Sequence, residues 1–213
     1  MVQAQRYDCP AAPDRLYWLD GFLGAAQCET ILAELEFAFW DRSTLYVEGT
    51  AGQYQFVHSA QRDSSTTSER WFSVPLQRTI AMIDRRVSKL LPQVLSNREE
   101  WQATRYSKGG HFNYHHDSGY FGGEPAGERT HTVLLYLDTP NRGGATSFPL
   151  LGLEVKSVAG RLLVWRNLQS NGEPDPEMLH AGKPLLEGCK TTLITWIRQR
   201  ECLVSKMKRR AVS

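Results

Sequence analysis

Glycine turns divide the second half of this chain into short segments, and no other feature limits its fold as tightly. From Trp101 onward, Gly109-Gly110, Gly122-Gly123, Gly143-Gly144, Gly160 and Gly188 separate runs rich in β-branched and aromatic residues. Trp101–Tyr106, Phe112–Asp117, Thr130–Leu137, Leu153–Lys156, Arg161–Trp165, Met178–His180 and Lys190–Arg198 are the expected strands. Many short strands spaced by turns predict a sandwich, jelly roll or barrel. The first half reads differently. Leu16–Leu19 is a short strand, and Cys28, Leu32, Leu35 and Phe39 recur at helical steps, predicting a helix over 25–39. Leu76, Ile80, Ile83, Val87 and Leu90 repeat the pattern behind Pro75, which suits a first helical turn, and Pro92 ends it. Helices followed by an all-β half give an α+β order. Residues 40–68 lose periodicity, which fits either a lid or binding loop or a pair of ordinary hairpins.

The expected organisation is a flexible lead-in over 1–14, one domain over 15–200 and a basic tail over 201–213. Within the domain, the helical part runs over 15–95 and the β core over 96–200. A net charge of +2 is too near neutral to argue for a nucleic-acid partner. No apolar run reaches the roughly 18 residues of a membrane span, and the N-terminus lacks the apolar core of a signal peptide. Cys9, Cys28, Cys189 and Cys202 are too scattered for a zinc ribbon and read as free thiols. A cytoplasmic protein is expected.

The chemistry centres on His111-Phe112-Asn113-Tyr114-His115-His116-Asp117, which holds three of the six histidines. On a strand, side chains alternate faces, so His115 and Asp117 point together and His116 points away. Two such ligands need a third from elsewhere, and His180 is the candidate. Two histidines and a carboxylate with open positions are diagnostic of non-haem Fe(II) oxygenases. Ten residues on, Lys190 opens a strand on which Thr192, Ile194, Trp196 and Arg198 share its face. An inward lysine is costly unless paired, so an anionic ligand inside the barrel would resolve it; a lysine at the mouth, reaching water, is the other reading.

Four motifs in order then carry a resemblance. These are Arg105-Tyr106 with Gly109 and His115-x-Asp117, and Arg129-x-x-Thr132-Val133-Leu134-x-Tyr136-Leu137. Gly143-Gly144-x-Thr146-x-Phe148-Pro149 follows, then His180-Ala181-Gly182-x-Pro184 with Lys190 and Trp196-Ile197-Arg198. The sequence resembles the prolyl 4-hydroxylase family of Fe(II)/2-oxoglutarate dioxygenases from about Leu16 to Arg200. The resemblance implies a double-stranded β-helix (a jelly roll, cupin-like) with the two helices packed on one outer face. It implies His115, Asp117 and His180 as catalytic iron ligands and Lys190 as partner of the distal carboxylate of 2-oxoglutarate. Tyr106 and Thr146 would hydrogen-bond that co-substrate, Trp196 would line the metal pocket and Arg129 would face the primary substrate. Fe(II), 2-oxoglutarate and O2 are the implied cofactors, with ascorbate as an accessory reductant. Three positions depart from the family pattern: Tyr114 replaces a proline, Ala145 a glutamate and Thr191 a tryptophan.

The implied reaction hydroxylates an unactivated C–H and releases succinate and CO2. The expected substrate is proline or a proline-like amino acid, free or carrier-bound; the alternative is a prolyl residue of a peptide or protein. A non-catalytic binding module would need a lost ligand, and all three are present. A zinc hydrolase would leave Lys190 unexplained and lacks a general base at His-Glu-x-x-His spacing.

Overall fold

The structure is a computed structural model and describes residues 4–48 and 54–202. The chain opens with β1 (Gln5–Asp8) and β2 (Leu16–Asp20), followed by α1 (Ala25–Leu35). Short strands come next: β3 (Asp41–Arg42), β4 (Leu45–Glu48), β5 (Tyr54–Val57), β6 (Arg62–Asp63) and β7 (Ser65–Ser68). After α2 (Val74–Val87) and α3 (Val94–Asn97) the chain is β-rich. It continues with β8 (Gln102–Tyr106), β9 (His111–His115), β10 (Arg129–Tyr136), β11 (Arg142–Gly143), β12 (Thr146–Phe148) and β13 (Leu153–Val155). It closes with β14 (Leu162–Arg166), β15 (His180–Gly182), β16 (Leu185–Glu187) and β17 (Lys190–Arg198).

Two antiparallel sheets carry the fold. The larger runs β1-β2-β14-β10-β17-β8-β7-β3 and the smaller β13-β12-β15-β9-β6. The alternation of β10 explains why both faces of the larger sheet are buried. Val133 and Leu135 point outward and pack with Ile31, Leu35, Ile80 and Ile83 of the helices. Leu134 and Tyr136 point inward and pack with Phe148 and Val155 of the smaller sheet. Helices on one face and a second sheet on the other make the expected double-stranded β-helix. Among the described residues no helix is long and apolar enough to cross a membrane.

Several boundaries differ from expectation, each for a local reason. Helix α1 stops at Leu35, whose carbonyl oxygen accepts from Trp40 Nε1 at 3.0 Å, and Phe39 is left exposed. Helix α2 starts at Val74 because Ser73 caps it, its hydroxyl accepting from the Leu76 amide at 3.2 Å. Residues 1–14 are not a loose lead-in where described. β1 pairs with β2, and Cys9 and Ala12 are buried. Hairpins, not a structureless loop, occupy 40–68, although 49–53 lie outside the described residues, as does the basic tail from 203. The expected strand Met178–His180 begins instead at His180, since Pro176–Met178 form a 3-10 turn capped by Asp175. Finally, β9 ends at His115, and Asp117 lies in the bend beyond it, not on the strand.

Candidate functional site

His115 and His180 are brought together by strand pairing: they are direct register partners between β9 and β15. Their rings stand 4.2 Å apart, centroid to centroid. Each ring is oriented by its own backbone. His115 Nδ1 donates to the Asn113 carbonyl at 2.8 Å, and His180 Nδ1 to the Met178 carbonyl at 2.9 Å. Both Nε2 atoms therefore carry free lone pairs, and both face Asp117, at 3.9 Å from Oδ1 and 3.6 Å from Oδ2. The three ligand atoms lie within 4.8 Å of one another. Burial and the neighbouring His180 hold His115 down to about 3, and burial lowers His180 as well. Burial pushes Asp117 up, but the two histidines, Arg129 and a hydrogen bond from Thr132 outweigh it, and its carboxyl stays below the usual range. Two neutral imidazoles beside one carboxylate suit a divalent transition metal. His116 is turned outward, toward the Pro176 carbonyl at 3.2 Å.

Behind the triad lies a small inner cavity between the sheets. Tyr106, Thr146, Lys190 and Trp196 all line it. Lys190 is buried, and among the described residues it makes no ion pair. Its ammonium lies 4.9 Å from the Tyr106 ring centroid and 5.8 Å from that of Tyr136. Burial lowers it to about 8, with Asp138 pulling the other way. Thr146 Oγ1 sits 2.6 Å from the Tyr136 hydroxyl. The Trp196 indole nitrogen is buried with no partner among the described residues.

Outside the triad the cavity opens into a groove of about 590 Å³ that reaches Phe39 and Trp71. Arg129 lines it, and its charge is paired with Glu99, which Arg198 also contacts at 3.0 Å. Arg129 Nε and Nη2 each bond a carboxylate oxygen of Glu99 at 2.7 Å. The guanidinium lies flat between rings, 3.8 Å from Trp196 and 4.4 Å from Phe121. Phe121 in turn stacks on Tyr46 of β4 at 5.1 Å. This column of stacked planes joins the β4–β5 hairpin to the wall of the site.

Arg62 is the residue that sequence reasoning passed over. It lines both cavities, stands 4.7 Å from the Phe112 ring, and among the described residues bonds only neutral oxygens, those of Ser64, Thr44, Thr66 and Thr104. Nothing in the aperiodic 40–68 stretch singled it out, because β6 meets β9 only through long-range pairing. In the sequence Thr132 is only part of a motif and has no role assigned, although it shares the inward face of β10 with Leu134 and Tyr136.

Residues 101–198 match the family model described as the 2OG-Fe(II) oxygenase superfamily. Prolyl 4-hydroxylase subunit alpha-2 of Caenorhabditis elegans is 33% identical over 152 residues, which are 68% of this chain and 28% of that protein. Prolyl 4-hydroxylase 2 of Arabidopsis thaliana is 29% identical over 208 residues, 86% of this chain and 67% of that protein. The chain thus spans 28% of the length of the first of these relatives. Among solved structures, a viral collagen prolyl hydroxylase from Paramecium Bursaria Chlorella virus-1, in its 2OG complex, superposes with a TM-score of 0.65 at 24% identity. That match covers 87% of this chain and 96% of that one. A Pseudomonas putida prolyl-4-hydroxylase gives 0.59 at 19% identity, covering 87% and 93%. These likenesses show a shared fold.

Proposed function

Since this chain belongs to the prolyl 4-hydroxylase family of 2OG-Fe(II) oxygenases, we propose that it is a 2-oxoglutarate-dependent dioxygenase that hydroxylates an unactivated C–H of a proline or proline-like residue. The reaction consumes 2-oxoglutarate and O2, puts one oxygen atom into the substrate and one into succinate, and releases CO2. One observation carries the reading. The triad and a buried lysine that makes no ion pair among the described residues face the same cavity between the sheets.

Fe(II) held by His115, Asp117 and His180 would supply the oxidising chemistry, activating O2 as 2-oxoglutarate is decarboxylated. The chain's own residues do the rest. Lys190 would anchor the far carboxylate of 2-oxoglutarate, compensating the cost of its own burial. Tyr106 and Thr146, beside it, would hold the same end through their hydroxyls. Trp196 and Trp165 line the inner cavity and would limit the entry of water. Asp138 only partly offsets the burial of Lys190, so the cavity would favour an anionic group beside it. A zinc hydrolase would give this lysine no task. Ascorbate as accessory reductant belongs to the same proposal, and so does a cytoplasmic setting, supported by four free cysteines.

The substrate is a proline-like amino acid, free or carrier-bound, or a prolyl residue within a peptide. The length of the outer groove supports the peptide. Arg129 of that groove is already paired with Glu99, which Arg198 shares, and offers little spare charge to a free carboxylate, whereas Arg62, bonded to neutral oxygens, could take the carboxylate of a free amino acid and keeps that reading open. The test is succinate formation with Fe(II), 2-oxoglutarate and a panel of free amino acids and proline-containing peptides. Products are checked by mass spectrometry for one added oxygen. Succinate that never rises above the substrate-free level with any proline compound would sink the reading.

A further inference from the structure

Asp117 offers two oxygens, and the structure treats them differently. Oδ2 accepts a hydrogen bond from Thr132 Oγ1 at 2.6 Å, while Oδ1 receives none among the described residues. The direction of that hydroxyl is itself set. Asn167 Nδ2 donates to Thr132 Oγ1 at 2.9 Å, occupying a lone pair, and of the two acceptors within reach of the Thr132 proton Asp117 Oδ2 at 2.6 Å is nearer than Asn167 Oδ1 at 3.3 Å. Asn167 is also where three segments cross. Its amide N–H donates to the Thr130 carbonyl on β10 at 2.8 Å. Its carbonyl accepts from Ser118 Oγ at 3.1 Å, in the bend that carries Asp117, and from the Asp175 amide at 2.8 Å, in the turn that leads to His180. Every member is buried: Thr132 is 0% exposed, Asn167 2%, Ser118 4% and Asp175 2%.

We propose that Thr132 and Asn167 are positioning residues that turn Asp117 into a one-oxygen ligand and lock the Asp117 and His180 segments to each other. This rests on the reading of the triad as a metal site. A carboxylate free to rotate can grip a cation with both oxygens and fill a place that a co-substrate needs. With Oδ2 held by Thr132, Oδ1 is the oxygen left for the metal. Asp117 lies in a bend and not on a strand, so no backbone ladder fixes its direction, and the side-chain relay supplies what the ladder does not.

Titration with Co(II), followed by its visible absorption, tests this without turnover. Wild type is expected to bind one Co(II); if it binds none, the metal-site reading itself fails and the inference with it. Thr132→Val keeps the shape and removes the donor. It is expected to weaken Co(II) binding by roughly 10- to 100-fold and to change the absorption bands, because the carboxylate is released. Thr132→Ser restores the donor and is expected to recover both affinity and spectrum. Wild-type affinity and spectrum in Thr132→Val would overturn the proposal while leaving the metal site standing. Equal impairment in Thr132→Ser and Thr132→Val would also overturn it, because restoring the hydroxyl would then recover nothing and the packing of the side chain, not its donor, would be what matters. If Thr132→Val does not fold, Asn167→Ser removes the upstream donor and keeps the backbone links. It is expected to shift the Co(II) spectrum in the same direction, and an unchanged spectrum there counts against the relay.

Discussion

A buried ammonium that makes no ion pair is costly in a protein that has nothing to bind, and Lys190 is such a group among the described residues. A charge-assisted hydrogen bond is worth roughly 1.5–3 kcal/mol net, or about 10- to 150-fold in affinity. Lys190→Ala should weaken 2-oxoglutarate binding by that factor while metal still binds. Lys190→Arg should recover only part, since a planar fork replaces a point charge. A 2-oxoglutarate titration with metal content measured in parallel decides it. The same lysine predicts a pH dependence. Its folded value of about 8 lies below the ordinary 10.5, with Asp138, Tyr106 and Tyr136 as its neighbours. The unfolded chain therefore holds more protons between these values, and the stability cost of burying the charge is present below about 8 and relieved as pH rises toward 10.5. Anion binding runs the opposite way, because it needs the proton. Affinity for 2-oxoglutarate should fall by up to about tenfold per pH unit above that point, and Lys190→Arg should titrate flat. A flat wild-type profile would show that another cation anchors the co-substrate. At the triad, His115→Ala should cost more than the roughly 100-fold in metal affinity typical of a lost outer partner. His116→Ala, whose ring faces the Pro176 carbonyl, should stay close to wild type by elemental analysis.

At the scale of elements, the β4–β5 hairpin belongs to neither large sheet and is held to the site side by rings. Tyr46 stacks on Phe121 and meets Phe56 at 4.9 Å. An aromatic pair contributes about 0.5–1.5 kcal/mol beyond its burial. Phe121→Ala should therefore raise backbone hydrogen exchange in Leu45–Glu48 by about 2- to 13-fold, with β10 unaffected. Equal change in both would mean global loosening and not a lost seat. Elements also show what could be read in advance. The two helices were legible because their apolar residues repeat every three or four positions. Their ends were not, because Trp40 and Ser73 stop and start them through single hydrogen bonds that periodicity does not register. His115 and His180 were legible from motif spacing. The bend at Asp117 was not, because alternation assumes that the strand continues, while Gly119 beyond it takes a φ of +100 that strands do not adopt. Arg62 stayed hidden because its place depends on β6 meeting β9 across the chain.

Across the whole molecule, two cores divide the work. One joins the helices to the larger sheet, and the other fills the space between the sheets beside the triad. A metal that binds only the folded chain stabilises it by mass action, about 2.7 kcal/mol at one hundred times its Kd. For a chain of this size that is a rise in Tm of roughly 5–11 °C. Wild type should show that shift with Co(II), and His180→Ala should not; identical shifts in both would place the cation elsewhere. The register of β9 and β15 gives this number a second meaning. His115 and His180 face each other across the ladder. A slip of one residue would turn one of them to the far side of the sheet. A cation can clasp both only when the alignment is right, so during folding it would act as a proofreader, rewarding the one threading of these strands that also assembles the triad.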